Sequence, residues 1–335
     1  MNSIAFFSTK PYDQTYFEAA NSDFGYELHF YEPKLNLDTY KLAEGAEAIC
    51  AFVNDDLKAD VLTALAGLGV KVLLLRCAGF NNVDLKAANS LGLKVYRVPA
   101  YSPYAVAEHA VALILTLSRK THKAFNRVRE GNFSLERLTG FDLNAKTVGV
   151  IGTGTIGRVF IQIMRGFGCR VLAYDPYPSE AAKALGATYV ELSELYAQSD
   201  IISLHCPLTP ETRYLINEAA FSQMKDGVML INTSRGQLID TQQAISALKH
   251  QKLGYLGIDV YEQEEQLFFS DFSETIIQDD LIMRLMTFPN VLVTAHQGFF
   301  TKEALTQIAQ TSLQNLADWQ AGKSTKNEVS FQEKA

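Results

Sequence analysis

The sequence predicts an α/β protein built from two doubly wound parallel-sheet domains. The chain has 335 residues, which is more than one hydrophobic core usually serves, so two domains are expected. Short β-rich runs alternate with helical patterns along most of the chain, and this alternation is typical of parallel sheets covered by helices. Hydrophobic residues make up 47% of the chain and charged residues 20%, as in ordinary globular proteins.

The first group of predicted strands occupies the first hundred residues. It consists of five β-rich runs: Ile4–Ser8, Glu27–Tyr31, Ala48–Val53, Val70–Arg76 and Lys94–Val98. A new unit follows, because Ser102 and Pro103 have the pattern of a helix N-cap and a first helical residue. The apolar spacing predicts one long helix from Ala105 to about Phe125.

A second group of predicted strands begins after Lys146. It consists of six runs: Thr147–Ile151, Arg170–Tyr174, Ile201–Cys206, Val228–Asn232, Leu256–Val260 and Val291–Ala295. Six runs suit a complete dinucleotide-binding sheet. Helical spacing returns from Lys302 to Trp319. We expect this last helix to return to the first domain, which would then be discontinuous, with the active site between the two domains.

Charge and cysteine usage narrow the functional class. Thirty basic and thirty-seven acidic residues give a net charge of −7, so there is no electrostatic case for binding nucleic acid or an anionic membrane. The four cysteines show no CxxC pairing, which indicates buried thiols in a reducing compartment; they are Cys50, Cys77, Cys169 and Cys206. The N-terminus does not resemble a signal peptide, and the most apolar helical stretch is too short to span a bilayer. We expect a soluble, cytoplasmic protein whose partner is a small molecule.

A glycine motif indicates a nucleotide cofactor. Residues 147–157 read TVGVIGTGTIG, an apolar run that leads into Gly152, Gly154 and Gly157 and then directly into an amphipathic helical pattern. In a dinucleotide-binding turn the first glycine permits the turn, the second admits the pyrophosphate and the third lets the helix pack on the strand. The phosphates then lie at a helix N-terminus. The alternative is a purely structural glycine turn.

Asp175 favours NAD over NADP. It lies eighteen residues after Gly157, at the end of the run VLAYD, where the fingerprint expects an acid that binds the adenosine ribose hydroxyls. Its charge would repel the extra phosphate of NADP, and no arginine follows it immediately. The alternative is an aspartate that only caps a turn.

Three polar residues follow predicted strands of the second group and are candidates for catalysis. Arg235 ends the segment NTSR and offers a planar fork that matches a carboxylate. His296, in VLVTAHQG, could both donate and accept a proton near neutral pH. Glu264 could hydrogen-bond that histidine and keep it protonated. Taken singly, they have other interpretations: a surface ion pair for Arg235, a structural role for His296 and a solvated charge for Glu264.

Longer motifs resemble those of the D-isomer-specific 2-hydroxyacid dehydrogenases, and the resemblance covers nearly the whole chain. They are LRCAGFNNVD (75–84), VPAYSPYAVAEHA (98–110), VGVIGTGTIG (148–157), DIISLHCPLTPET (200–212), MKDGVMLINTSRGQLID (224–240) and GIDVYEQE (257–264). The resemblance implies a Rossmann NAD-binding domain at 102–298. It also implies a discontinuous flavodoxin-like substrate domain at 1–101 plus 299–335.

The resemblance also assigns roles to individual residues. Arg235 would bind the substrate carboxylate and polarise the carbonyl, while His296, paired with Glu264, would act as acid and base. Residues implied to contact the cofactor are Gly152, Gly154, Thr155, Ile156, Gly157, Asp175, Cys206, Pro207, Thr212, Thr233, Ser234 and Asp259. Residues implied to contact the substrate are Phe52, Gly79, Phe80, Tyr101, Arg235 and Phe299. No metal is expected.

The implied reaction moves a hydride between NAD and a small 2-keto or 2-hydroxy acid, with pyruvate and D-lactate as the expected pair. Rival substrates are hydroxypyruvate, phosphoglycerate and branched keto acids, and a corepressor-like NAD-sensing protein is a rival of another class. The family is usually dimeric or larger, so we expect a homodimer or homotetramer. One departure from the family pattern is Glu265, where many members have proline, followed by an acidic and aromatic insertion to about Asp280.

Overall fold

The structure of the protein, a computed structural model, describes residues 3–264 and 267–331. These residues form two compact units. One runs up to Ser102 and resumes at Phe300, and the other extends from Pro103 to Phe299. Each unit contains one sheet whose neighbouring strands are parallel. The predicted fold class is thereby confirmed. Glu265, at which the sequence departs from the pattern of the family that it resembles, lies outside the described residues.

The first unit has a five-stranded sheet within the described residues. Its elements in chain order are β1 (Ser3–Phe6), α1 (Pro11–Asn21), β2 (Glu27–Phe30), β3 (Ala48–Ala51), α2 (Ala59–Gly67), β4 (Val72–Leu75), α3 (Leu85–Ser90) and β5 (Lys94–Arg97). The strand order is β2-β1-β3-β4-β5. The central strands β1, β3 and β4 are buried along their whole length, because helices cover both faces of a parallel sheet.

The second unit has a seven-stranded sheet in the part of the chain that is described. Its elements are α4 (Pro103–Arg119), α5 (Thr121–Arg129), β6 (Thr147–Ile151), α6 (Thr155–Gly166), β7 (Arg170–Tyr174), α7 (Glu180–Ala184), β8 (Ala187–Tyr189), α8 (Leu192–Gln198), β9 (Ile201–Leu204), α9 (Glu218–Gln223), β10 (Val228–Asn232), α10 (Thr241–Lys249), β11 (Leu253–Ile258), α11 (Asp280–Met286) and β12 (Val291–Val293). The order is β12-β11-β10-β9-β6-β7-β8. After β8 the chain crosses to the other side of β6 and adds β9 there, so the strand order switches between β6 and β9, which is where such sheets bind ligands.

Two elements of the second unit differ from the sequence prediction. The pattern does not predict β8, because this edge strand has three residues and only Ala187 is buried. The single helix expected from 105 to 125 is two helices, since Lys120 takes a left-handed conformation with φ of 53°. A left-handed residue ends the i to i−4 hydrogen-bond pattern of a helix, so α4 stops at Arg119 and α5 begins at Thr121.

The chain ends with α12 (Lys302–Gln320), which packs against α1, β4 and β5 in the first unit. Thr301 caps its first turn by accepting a hydrogen bond from the backbone N–H of Ala304. Beyond the helix, Val329 donates a backbone hydrogen bond to Val95, so the chain continues alongside β5. Among the described residues, the structure contains no helix that is long and apolar enough to cross a membrane.

Candidate active site

The glycine motif forms the turn between β6 and α6. Gly152 has a φ of 95°, and a Cβ there would lie 2.5 Å from a backbone atom of His205. A Cβ at Gly157 would lie 2.1 Å from the carbonyl oxygen of Gly152. Neither position tolerates a side chain. Gly154 differs, since a Cβ there would meet open space, and this space lies over the N-terminal amides of α6, where an anion is favoured.

Asp175 ties the end of β7 to this turn. Its Oδ2 accepts hydrogen bonds from the backbone N–H of Thr153 at 2.7 Å and from the Thr153 hydroxyl at 3.0 Å. The hydroxyl of Tyr189 donates to Thr153 Oγ1 in turn, at 2.7 Å. The carboxylate is half-buried beside the glycine turn, which is the position that ribose recognition requires.

The segment after β9 lies directly against the glycine turn. Burial lowers the pKa of His205 to about 3, so its ring is neutral, and it packs on Phe160 with centroids 4.7 Å apart. Burial raises the pKa of Cys206 to about 11, so its thiol is also neutral. This cysteine is half-buried rather than fully buried as predicted, and none of the four cysteines forms a disulfide bond. The Thr212 hydroxyl donates to the carbonyl of Pro207 at 2.7 Å.

The loop after β10 presents Arg235. Asn232 holds the loop, because its amide donates to the Arg235 carbonyl at 2.8 Å and its Oδ1 accepts from the Ser234 N–H at 3.0 Å. Ser234 is also tied to β9 through a 2.8 Å bond to the Leu204 carbonyl. The half-buried Arg235 guanidinium donates to the carbonyl of Ser234 at 2.7 Å. The side chain therefore begins from a fixed backbone at the carboxyl end of the strand.

The loops after β10 and β11 are in contact. A Cβ at Gly236 would lie 2.0 Å from the backbone carbon of Tyr261, so only glycine fits at this position. Asp259, immediately after β11, donates its backbone N–H to the Asn232 carbonyl at 2.9 Å. The loop that carries Arg235 and the loop that carries Glu264 thus lie side by side.

His296 and Glu264 form a hydrogen-bonded pair. The distance from His296 Nδ1 to Glu264 Oε1 is 2.9 Å, with side-chain exposures of 23% and 21%. The other oxygen of Glu264 accepts from the Tyr261 N–H at 2.9 Å. An ionised carboxylate only accepts hydrogen bonds, so Nδ1 is the protonated nitrogen and Nε2 is the one that can exchange a proton with a substrate. The rings of Phe269 and Phe299 flank the imidazole at 6.0 and 6.5 Å.

The residues of the second unit fit a nicotinamide dinucleotide. Thr233 Oγ1 is buried and has no hydrogen-bond partner among the described residues, which a bound polar group would correct. The open space over Gly154 and the acid at Asp175 complete the phosphate and ribose positions. The described residues contain no cluster of three or more potential metal ligands.

The substrate-contact candidates of the first unit lie at the carboxyl ends of β3, β4 and β5. The Phe52 N–H donates to Asp55 Oδ2 at 2.6 Å, and the Arg76 guanidinium lies over its ring at 5.0 Å. Arg97 lies over the Phe80 ring at 5.2 Å. Gly79 precedes Phe80 in the same loop, and Tyr101 follows β5. Their contact with substrate remains a prediction.

Sequence reasoning missed several buried polar contacts within the two units. Arg76 is 3% exposed and lies 3.3 Å from Asp13. Asp55, also buried, accepts the Ser8 hydroxyl at 2.7 Å. His109 and Thr294 hydrogen-bond each other beside Asp259. Each pair joins distant segments of the chain, and no local motif marks it.

Comparison with known proteins agrees with this geometry. The family described as "D-isomer specific 2-hydroxyacid dehydrogenase, NAD binding domain" matches residues 111–298. The D-lactate dehydrogenase of Escherichia coli K12 is 58% identical over 326 residues, covering 97% of this chain and 99% of the relative.

Solved structures are similar over almost the whole chain. The apo-structure of D-lactate dehydrogenase from E. coli has a TM-score of 0.91 at 55% identity, covering 98% of this chain and 99% of the other. The D-lactate dehydrogenase from Aquifex aeolicus, complexed with NAD and lactic acid, has a TM-score of 0.85 at 34% identity, covering 98% and 100%. The family match and the relatives that cover nearly the whole chain agree with the glycine turn and with the acid at Asp175. This chain therefore belongs to the D-isomer-specific 2-hydroxyacid dehydrogenases and takes NAD as its cofactor.

Proposed function

We propose that this protein is a D-lactate dehydrogenase that reduces pyruvate to D-lactate with NADH and catalyses the reverse oxidation. The observation that carries the proposal is the 2.9 Å hydrogen bond between His296 and Glu264. It lies at the carboxyl edge of the sheet that also carries Arg235 and the glycine turn. The names of the E. coli and A. aeolicus relatives support pyruvate and the D configuration.

Arg235 would bind the substrate and polarise it. A guanidinium places two parallel N–H groups against a carboxylate, which fixes both the position and the orientation of a 2-keto acid. Its charge would also stabilise the negative charge that develops on the carbonyl oxygen. The hydrogen bonds that Asn232 makes to this loop reduce the reorganisation that the guanidinium needs during the reaction.

His296 would supply the proton. In the reduction, C2 of pyruvate gains a hydride and the carbonyl oxygen gains a proton from His296 Nε2, leaving a hydroxyl group and a neutral imidazole. In the oxidation, the same nitrogen takes the hydroxyl proton back. Glu264 holds Nδ1 and stabilises the imidazolium form. The nicotinamide, when bound, supplies or accepts the hydride at C2.

Phe52 and Phe299 are the proposed walls for the substrate side chain. Both are bulky, which favours the methyl group of pyruvate over a branched chain. A pocket discriminates a single methylene by about 10- to 200-fold, so the choice among keto acids is measurable. Hydroxypyruvate and 2-ketoisocaproate are the informative competitors.

A substrate panel tests the proposed function. The kcat/KM values for pyruvate, hydroxypyruvate and 2-ketoisocaproate are measured with NADH and with NADPH, and the chirality of the product is determined. We expect pyruvate to exceed the other keto acids by at least about tenfold, NADH to be preferred over NADPH, and the product to be D-lactate. A preference for another keto acid would reassign the substrate within the family. Absence of turnover with all three would favour an NAD-sensing binding protein.

We also propose that the protein is a homo-oligomer. Exposed apolar side chains cluster on α5 and the segment after it: Phe125 at 61%, Val128 at 49%, Phe133 at 74% and Leu135 at 82%. Monomeric proteins rarely expose such a group without a partner. Sedimentation equilibrium is expected to give a multiple of the 37.2 kDa chain mass, and Phe133→Ser with Leu135→Ser is expected to weaken the association. A monomer at micromolar concentration would contradict the proposal.

The cytoplasmic location stays a prediction from the sequence.

A further inference from the structure

The loop that carries His296 has a strained backbone at the histidine itself. His296 has a φ of 51°, in the left-handed region. Histidine tolerates this region better than bulky residues do, yet the conformation is strained and persists only where the surrounding structure holds it. A holding group must therefore lie close to the loop.

Asp259 is that group. Three consecutive backbone N–H groups point to it: His296 donates to the Asp259 carbonyl at 2.7 Å, Gln297 to its Oδ1 at 2.9 Å and Gly298 to its Oδ2 at 2.8 Å. A Cβ at Gly298 would lie 2.9 Å from Oδ2, which is too close for a side chain, so the backbone of the loop lies directly against the carboxylate. Asp259 thereby determines the backbone on which the catalytic imidazole is mounted.

The Asp259 carboxylate is itself 1% exposed and needs compensation. Thr294 donates its hydroxyl proton to Oδ1 at 2.6 Å. His109 Nε2 lies 3.0 Å from Thr294 Oγ1 and 3.3 Å from Asp259 Oδ1. Burial would raise the pKa of Asp259, but the hydrogen bonds from His109 and Thr294 outweigh it and the pKa lies below its usual value.

The proton arrangement follows from these contacts. A hydroxyl can donate one hydrogen bond, and Thr294 donates its hydrogen bond to the Asp259 carboxylate, which can only accept. Thr294 must then accept from His109, so Nε2 is the protonated nitrogen of that ring. His109 lies in the middle of α4 and is 14% exposed. It is the contribution of α4 to a network whose other members belong to the loops after β11 and β12.

We propose that His109 is a positioning residue for the hydride-transfer reaction: through Nε2 it holds Thr294 and Asp259, and through them it keeps the His296 loop in its left-handed conformation. The inference rests on the proposed function. His109 touches neither His296 nor Glu264 by any hydrogen bond found among the described residues. Its effect on catalysis passes entirely through the loop.

The first test compares His109→Leu with His109→Gln. Leucine removes the donor, whereas the amide nitrogen of glutamine can donate from about the position of Nε2. A misplacement of about 1 Å at a catalytic group can cost on the order of 10²-fold in rate. We expect His109→Leu to lower kcat on pyruvate by about 10- to 100-fold with KM changed by less than about threefold, because Arg235 lies on another loop. His109→Gln is expected to restore most of kcat.

A second test does not depend on turnover. Hydrogen exchange of the His296, Gln297 and Gly298 amides is followed in the protein with NADH bound, and their exchange is expected to accelerate in His109→Leu and not in His109→Gln. If the wild-type protein did not turn over pyruvate, only the proposed function would be contradicted. The exchange rates of the three amides would still decide whether His109 positions the loop. Unchanged exchange and unchanged kcat in His109→Leu would overturn the inference.

Controls separate donation from packing and from cofactor binding. His250 is exposed at the C-terminal end of α10, where its ring hydrogen-bonds the Ser246 carbonyl, so His250→Leu is expected to leave kcat unchanged. Thr294→Val is expected to reproduce the effect of His109→Leu, and the double variant to be no worse than the poorer single variant. Equal impairment of His109→Leu and His109→Gln, with normal thermal melts, would contradict the proposal. So would a weakened Kd for NADH with kcat unchanged.

Discussion

Replacing Arg235 by glutamine is expected to lower kcat/KM for pyruvate by on the order of 10² to 10³, equivalent to about 3–4 kcal/mol of transition-state stabilisation. Glutamine keeps a hydrogen-bond donor but loses both the charge and the two-pronged geometry. The loop itself should persist, because Asn232 holds it through backbone groups of Ser234 and Arg235 that the substitution does not alter.

Steady-state kinetics and NADH binding together check this expectation. We expect kcat to fall and KM to rise, because the proposed role of the guanidinium is to bind the substrate carboxylate in the ground state and to stabilise the developing oxyanion. Arg235→Lys, which keeps the charge without the fork, is expected to be intermediate. Arg284, exposed on α11, supplies a matched control, and Arg284→Gln is expected to have wild-type kinetics. Near-normal turnover in Arg235→Gln would refute the assigned role.

Replacing His296 by glutamine is expected to lower kcat by on the order of 10² to 10⁴, the range for loss of a general acid and base. The Kd for NADH should change little, since the glycine turn and Asp175 lie on other strands of the sheet. Fluorescence titration of NADH and single-turnover reduction of pyruvate measure the two effects separately. A variant that keeps a normal single-turnover rate would show that another group supplies the proton.

Glu264 should act only through this histidine. Its two oxygens accept from His296 Nδ1 and from the Tyr261 N–H, so the amide of Glu264→Gln must point its NH₂ group at one of two donors. The single variant should therefore lose activity. In a His296→Gln background the same substitution should add nothing. Additive losses would mean that Glu264 has a second role of its own.

The sequence predicted the buried central strands more reliably than the edge strand and the break between α4 and α5. Central strands of a parallel sheet are buried on both faces, so β6, β9 and β10 are almost entirely apolar and are recognised directly in the sequence. The edge strand β8 lacks this apolar pattern because two of its three residues are exposed or only half-buried. The break between α4 and α5 depends on one left-handed residue, Lys120. Because this residue is neither glycine nor proline, the sequence does not indicate the break.

The site divides in the same way. Arg235, Glu264 and His296 follow predicted strands, and the parallel topology alone implies that their loops share one edge of the sheet. Their roles came from a family resemblance, since each residue has an ordinary structural explanation when taken alone. The pairing of His296 with Glu264 is a contact across 32 positions, and only the packed structure displays its geometry.

The sequence by itself determined the two-domain parallel fold, the glycine turn between β6 and α6 and the position of the polar residues at strand ends, because these depend on local backbone geometry and on the periodicity of burial. Only the tertiary structure decided that His109 reaches Thr294 across 185 positions and that three consecutive amides converge on Asp259. A buried carboxylate must find donors wherever the folded chain brings them. Those donors come from α4 and from the loop after β12, which no local pattern connects.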